Sequence, residues 1–315
     1  MKTLIVGAGA MGCLFGGKLK QSNFDVTLFN RKNDHMKTIE AEGLRIIERD
    51  GTTSNVDIPV VTDPKNLAER YDLIIILVKT FATEKVLNQI LHTMDEESII
   101  LTLQNGVGNI ERLEQMVPNS LVGAGGAGCG AGIIEPGLIA HRAWGKTFIG
   151  FSSKKTESNG LQKIADMLTK SGLKTYVSDD VQSVIWSKLL VNVAYNGLTA
   201  VTRLKNADVV LPVEGKEVVR KLVEEAVSVA DAKGINLLFQ QPVRECIEMG
   251  IEEIGKNKSS MLTDVINERK TEIDVINGAV TKYGASHSIP TPYNEMMTSL
   301  VKIIESSYSK IVTST

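Results

Sequence analysis

The chain has 315 residues, 43% of them hydrophobic and 23% charged, with a formal net charge of −2. That length favours two domains in a globular protein, and the near-neutral charge gives no electrostatic reason to expect nucleic acid or an anionic membrane surface as partner. The three cysteines, Cys13, Cys129 and Cys246, are far apart and odd in number, which excludes a zinc motif or a disulfide framework and points to a reducing compartment.

Lys2 is followed by the short apolar stretch Leu4-Ile5-Val6 and then by glycines, so no secretory h-region is expected, and the apolar runs are strand-sized. A cytoplasmic location is the resulting expectation. Thr3–Val6 reads as a buried strand, residues 11–21 as a helix, and residues 25–30 as a second strand. Residues 58–62 read as a third strand. Residues 73–78 and 98–103 are rich in Ile, Leu and Val, as strands covered on both faces require. Residues 82–94 and 109–117 carry apolar positions at helical spacing. Strand alternating with helix predicts an α/β fold, a Rossmann-type doubly wound sheet.

Gly7-Ala8-Gly9-Ala10-Met11-Gly12 lies between the first strand and the first helix. There Gly7 permits a tight turn, Gly9 lets backbone approach a pyrophosphate, and Gly12 allows close helix–strand packing, while the first helical amides meet the phosphate charge. A tight turn without ligand is the bland alternative. At the end of the second strand an NAD site usually places a carboxylate for the ribose hydroxyls. Here stand Asn30-Arg31-Lys32. Arg31 can pair with a 2′-phosphate and stack on adenine, which favours NADP(H); two solvated basic residues are the other reading.

Residues 121–134 are dense in glycine. Either they line the cofactor site or they form a bulged extension of the sheet. Asn105 comes just after the strand at 98–103, where open α/β sheets bind ligands. Residues 158–172 read as a helix and 174–177 as the last strand of the first domain. The boundary is set near Ser178, giving a nucleotide-binding domain at 1–178 and an all-helical C-terminal domain at 179–315.

Within that second domain Lys188, Asn192 and Asn196 recur every four residues along one helix face, amid Leu, Val and Ala. Asparagine is a mediocre helix former, and a buried amide without a partner costs about 1–3 kcal/mol. A substrate with hydroxyl and carboxylate groups would satisfy such a stripe; an exposed polar face is the alternative. Downstream, Asn257-Lys258-Ser259-Ser260 precedes a helix predicted over residues 261–283, with Ser260 as an N-cap candidate and Glu272 on its course.

Taken together these motifs resemble the ketopantoate reductase family (2-dehydropantoate 2-reductases) over nearly the whole chain. The resemblance rests on the Gly7–Gly12 motif, Lys79, Gln104-Asn105-Gly106, Pro136-Gly137 with His141, and the Trp186-x-Lys188-x3-Asn192-x3-Asn196 pattern. It continues through Leu198-Thr199-Ala200, Ser259-Ser260-Met261-Leu262-x-Asp264 and Thr271-Glu272-Ile273-Asp274-x2-Asn277-Gly278. It implies NADPH-dependent reduction of 2-dehydropantoate to (R)-pantoate, in pantothenate and coenzyme A biosynthesis. It further implies Lys188 as the catalytic lysine and Glu272 as the carboxylate assisting it. Asn105, Asn192, Asn196 and Ser260 are implied as active-site polar groups, Asn206 and Asn257 as further substrate-side asparagines, and Arg31 and Lys79 as the pair around the 2′-phosphate. One departure is Gly197, where many members carry proline; it is expected to loosen a turn beside the site.

No metal is expected, because His35, His92, His141 and His287 form no ligand-like group. Rival readings are a sister reductase making another D-2-hydroxy acid, a sugar- or glycerol-phosphate dehydrogenase, and a non-catalytic NADP-binding sensor. The asparagine stripe disfavours the second, and Lys188 together with Glu272 disfavours the third. A helical second domain also offers surfaces for a homodimer.

Overall fold

A computed structural model describes residues 1–118, 120–152 and 159–310. The chain divides into two compact units: Met1–Gln104 with Asn109–Val181, and Asn105–Gly108 with Gln182–Thr315.

The first unit contains twelve strands among its described residues. In chain order its elements are β1 (Thr3–Val6), α1 (Ala10–Gln21), β2 (Val26–Phe29), α2 (Asp34–Glu42), β3 (Leu44–Ile47), β4 (Thr53–Val56), β5 (Val60–Val61) and β6 (Leu73–Ile76). Then come α3 (Thr83–Ile90), β7 (Ile99–Thr102), α4 (Asn109–Met116), β8 (Leu121–Gly126), β9 (Cys129–Glu135), β10 (Leu138–Trp144), β11 (Thr147–Phe151), α5 (Asn159–Lys170) and β12 (Thr175–Val177). Eight strands form one sheet in the order β12-β11-β8-β7-β6-β1-β2-β5. Its pairings are parallel except for β11 against β8.

Alternation of side chains explains why the central strands are apolar throughout. Ile5, Ile75 and Leu101 enter one buried cluster, whereas Leu4, Ile74 and Ile100 enter another. Residues i and i+1 point to opposite faces of a strand, so a sheet covered on both faces needs an apolar residue at every position. Full burial of each such side chain stabilises the fold by about 1.5–3 kcal/mol.

The α/β prediction holds, with local differences. The strand expected at 58–62 shrinks to the edge pair Val60–Val61, and the helix expected at 82–94 is α3 flanked by two 3₁₀ turns. The helix expected at 158–172 is α5; Ser158 lies outside the described residues. A second sheet, ordered β4-β3-β10-β9, was not expected. The glycine-dense stretch divides between the two sheets, β8 in one and β9 in the other. A β-carbon on Gly125 would lie 2.2 Å from the Phe148 carbonyl oxygen, so strand-to-strand contact accounts for that glycine.

The second unit is built on helices: α6 (Val181–Thr202), α7 (Asn206–Val210), α8 (Val213–Ala232), α9 (Pro242–Glu252), α10 (Ser260–Ile266), α11 (Asn277–Ser286) and α12 (Pro292–Ser306). No strand occurs among its described residues. α6 is its central helix: Trp186, Leu189, Leu190, Val193, Ala194, Tyr195, Leu198 and Ala200 are all buried. A helix apolar on most sides needs cover on most sides, and the other helices supply it. The single helix expected over 261–283 is instead α10, a turn, a 3₁₀ segment at Ile273–Val275, and α11. The break contains Glu268, whose backbone is left-handed at φ 52. No helix among the described residues is long and apolar enough to cross a membrane.

Candidate active site

In the first unit the register of the sheet places the candidate cofactor residues on one edge. Val6 of β1 is level with Phe29 of β2 and Ile76 of β6, and Ile76 is level with Thr102 of β7. The segments leaving these four strands carry Gly7 to Gly12, Asn30 and Arg31, Lys79, and Gln104. Strand order runs outward one way through β2 and the other way through β6 and β7, so β1 and β6 flank the switch point where open α/β sheets take their ligands.

The glycines there have separable roles. Gly7 has φ +104, and a β-carbon on it would lie 2.5 Å from the Val78 amide nitrogen. One on Gly12 would come 2.1 Å from the Gly7 carbonyl oxygen, whereas one on Gly9 would meet nothing within 4 Å. Space is thus kept open directly over Gly9, where α1 begins without a side-chain cap. Uncapped amides at a helix start beside open space can hold a phosphate group. Arg31 is exposed and Lys79 half-buried. The first carboxylate after β2 is Asp34, at the start of α2, and it is paired with Lys37 at 2.9 Å.

The side chain of Gln104, to which the sequence alone assigns no role, organises this edge. Its Nε2 donates to the Val78 carbonyl (2.7 Å) and the Thr83 hydroxyl (2.8 Å), and its Oε1 accepts from the Thr102 hydroxyl (3.0 Å). It thereby ties the loop after β6 to the end of β7.

In the second unit, α6 carries Lys188, Asn192 and Asn196 as the spacing required. At 3.6 residues per turn Thr199 falls roughly 20° from Lys188 around the helix, so it continues the same stripe. Lys188 and Asn192 are half-buried, and Asn196 is 5% exposed. The Nδ2 atoms of Asn192 and Asn196 are buried without a hydrogen-bond partner. This is the feature expected of a stripe that awaits a polar ligand rather than one that faces solvent.

Three segments are fastened around α6. The Thr199 hydroxyl lies 2.7 Å from that of Ser259, which accepts from the Leu262 amide (3.0 Å) and so caps α10. The N-cap is therefore Ser259 and not Ser260, whose residue is exposed in the first turn. Glu272, 8% exposed, opens a second segment that returns to α6 through Asn277, whose Nδ2 donates to the Val193 carbonyl at 3.3 Å. The third segment contains Asn105: Val107 donates its amide hydrogen to the Val275 carbonyl (3.2 Å), seating residues 105–108 on the Glu272 segment.

Two of the expected substrate residues have structural work as well. Asn206 is buried, and its Nδ2 donates to the Ile254 carbonyl (2.9 Å) while its Oδ1 is left without a partner. Asn257 is exposed, and its carbonyl accepts from the Asn206 amide (3.3 Å). Gly197 lies inside α6 and not in a turn, which corrects the expected consequence of its departure from proline. A β-carbon there would fall 2.5 Å from Cγ of Met297, so α12 packs directly onto the α6 backbone.

Tyr195, on the same helix, has its hydroxyl proton engaged elsewhere. Its hydroxyl donates to the Cys246 carbonyl at 2.9 Å, and burial pushes the phenol well above its ordinary range.

Residues 3–154 match the family model for ketopantoate reductase PanE/ApbA, and residues 180–305 match that of its C-terminal domain. The chain belongs to the ketopantoate reductase family. A 2-dehydropantoate 2-reductase of Halobacterium salinarum is 31% identical over 305 residues, covering 97% of this chain and 99% of that one. Another of Pyrococcus abyssi is 30% identical over 303 residues, covering 96% and 97%. Among solved structures, a D-mandelate dehydrogenase with NADH and anilino(oxo)acetate superposes with a TM-score of 0.92 at 32% identity, covering 98% of this chain and all of that one. A PanE/ApbA family ketopantoate reductase from Ralstonia eutropha gives 0.89 at 29%, with the same coverage. As a member of the ketopantoate reductase family the protein is an oxidoreductase that uses a pyridine nucleotide.

Proposed function

We propose that this chain reduces 2-dehydropantoate to (R)-pantoate with NADPH, Lys188 serving as proton donor. The observation that carries the reading is the α6 stripe, where Lys188 precedes two asparagines whose buried Nδ2 atoms have no partner. The curated relatives' name supports the substrate. Arg31 and Lys79, on the edge where β2 and β6 end, support the 2′-phosphate.

The chemistry expected of a bound reduced nicotinamide is hydride transfer to C2 of the 2-oxo acid. Gly7 to Gly12 would hold its pyrophosphate, with the open space over Gly9 admitting the phosphate oxygens. Negative charge then develops on the C2 oxygen, and an ammonium both stabilises it and supplies the proton. Lys188 meets that need, and Glu272 holds the ammonium charged and oriented. Asn105, Asn192, Asn196 and Ser260 bind the substrate's carboxylate and hydroxyl groups, with Asn206 and Asn257 supporting them.

A second reading has its own support: the D-mandelate dehydrogenase neighbour was solved with NADH, which favours another 2-oxo acid and the other nucleotide. A panel of 2-oxo acids, 2-dehydropantoate and benzoylformate among them, assayed with NADPH and NADH separates the two. The first reading requires the highest kcat/KM with 2-dehydropantoate and NADPH. Highest kcat/KM with benzoylformate and NADH establishes the second; no turnover with any pair removes both.

A cytoplasmic location fits the three cysteines, which form no disulfide with one another. A homodimer is assigned to α12, where Tyr293, Met296, Leu300 and Ile303 are exposed at intervals of three, four and three. Replacing Met296 and Leu300 with lysine is expected to yield monomers in sedimentation velocity, and a monomeric wild type would remove the assignment.

A further inference from the structure

Glu272 stands at the head of a segment that the sequence predicts as regular helix and that the structure holds by individual bonds. The Thr271 amide donates to Glu305 (2.6 Å), and Asp274 pairs with Lys302, both from α12. Asn277 connects the segment to α6. It is fully buried, and one Nδ2 hydrogen goes to the Val193 carbonyl, next to Asn192 in the chain. The other goes to Oδ1 of Asn294 at 2.9 Å.

Asn294 is itself fully buried, and its Nδ2 donates to the Leu222 carbonyl (3.1 Å) and to Glu225 Oε2 (2.7 Å). The same Glu225 carboxylate, from α8, accepts the amides of Tyr293 and Asn294 at 2.9 Å each. These are early amides of α12, whose N-cap Thr291 makes no side-chain capping bond. A carboxylate there satisfies orphan donors and complements the helix dipole. It also polarises the Asn294 amide, which in turn fixes the orientation of Asn277. Gly197 lies beside this link: a β-carbon on it would touch Asn277 Oδ1 at an ordinary 3.5 Å but would displace Met297.

We propose that Asn277 is a positioning residue for the reaction: the chain Glu225–Asn294–Asn277–Val193 sets Glu272 at a fixed height against the Lys188–Asn192–Asn196 stripe. The inference rests on the proposed roles of Lys188 and Glu272. Replacing Asn277 by the similarly sized Leu leaves the Val193 carbonyl and Asn294 Oδ1 without this donor and frees the segment to shift. Misplacement of about 1 Å near a reacting centre can cost as much as a hundredfold in rate.

The test compares wild type, Asn277→Leu and Asn294→Leu. Asn294→Leu removes the Oδ1 that accepts from Asn277 and leaves the Glu225 carboxylate on the Tyr293 and residue-294 amides. The expected result is a kcat at least about tenfold lower in Asn277→Leu, with the KM for the nucleotide unchanged and the pH profile of kcat displaced. Asn294→Leu should fall in the same direction. A kcat for folded Asn277→Leu within about twofold of wild type overturns the proposal; so does a folded Asn294→Leu with wild-type kcat, because that is what simple capping of α12 by Glu225 predicts.

Should wild type reduce no 2-oxo acid, the reading of Lys188 and Glu272 fails on its own. Amide hydrogen exchange over residues 272–277 then tests the tie. It is expected to quicken in Asn277→Leu with α1 unaffected, and equal exchange overturns it.

Discussion

Gly12 packs against the Gly7 carbonyl so closely that a β-carbon would lie 2.1 Å from the oxygen, while a β-carbon on Gly9, between them, would touch nothing within 4 Å. Two substitutions of the same size should therefore act on different quantities. Gly12→Ala forces backbone apart and is expected to lower stability by about 1–3 kcal/mol, the ordinary range for overpacking. Gly9→Ala, at φ −82, should melt with wild type yet bind nucleotide much more weakly. Thermal melts with and without nucleotide check both. Unchanged nucleotide affinity in Gly9→Ala would show that nothing approaches that backbone.

Lys188→Ala removes the proposed proton donor while leaving the buried core of α6 intact. Turnover with the best 2-oxo acid is expected to drop by at least about a hundredfold, the usual scale for general-acid catalysis. Circular dichroism should be unchanged. Near wild-type turnover would return the search for a donor to the rest of the second unit, with Tyr195 already engaged by the Cys246 carbonyl.

Arg31 is exposed at the end of β2, with no carboxylate before Asp34. Arg31→Ala is expected to raise the KM for NADPH well above any change in the KM for NADH. Initial-rate measurements with both nucleotides decide it, and an equal rise in the two would rule out Arg31 as a partner of the 2′-phosphate.

His35 links the glycine motif to the second sheet. Its Nδ1 accepts from the Gly137 amide at 3.0 Å, a bond that only the neutral ring can accept, and its Nε2 lies 3.4 Å from the Cys13 sulfur. Burial lowers its pKa below the ordinary 6.5. His141 is lowered too, first by burial and then by Lys18, with Glu48 opposing. The unfolded chain thus takes up protons at a higher pH than the folded one. Stability from these rings is complete above 6.5 and is lost as pH falls through the lower folded values. His35→Gln keeps an acceptor for Gly137 and cannot protonate in this range. Its midpoint should decline less than that of wild type between neutral pH and the mild acid region. Parallel declines would assign the acid sensitivity elsewhere.

Cys13 is expected to resist thiol reagents in the native protein. It is fully buried, and burial pushes its thiol up to about 12, so the reactive thiolate is scarce. Rapid native labelling at Cys13, read by mass spectrometry, would contradict this.

Features that depend on neighbours a few residues apart were legible in the linear chain. β6 can be read from Leu73 to Ile76 because a strand buried on both faces has no polar position to confuse its pattern. The Lys188–Asn192–Asn196 stripe is visible because a helix repeats its faces every three to four residues. The glycine turn is visible because glycine at Gly7 and Gly12 answers a local steric need.

Other features arise only from contacts between distant parts of the chain. β3 pairs with β10, far downstream, and β4, polar at Thr53, Ser54 and Asn55, is a strand only because β3 borders it. Ser259 rather than Ser260 caps α10 because its hydroxyl meets Thr199, sixty residues earlier. The regular apolar spacing past Ile266 promised one helix, but left-handed Glu268 ends it, and bonds to Glu305, Val193 and Asn294 hold the segment beyond. A hydrogen bond to a remote carbonyl leaves no periodic trace in the residues that make it, so the position of Glu272 could be settled only in the folded molecule.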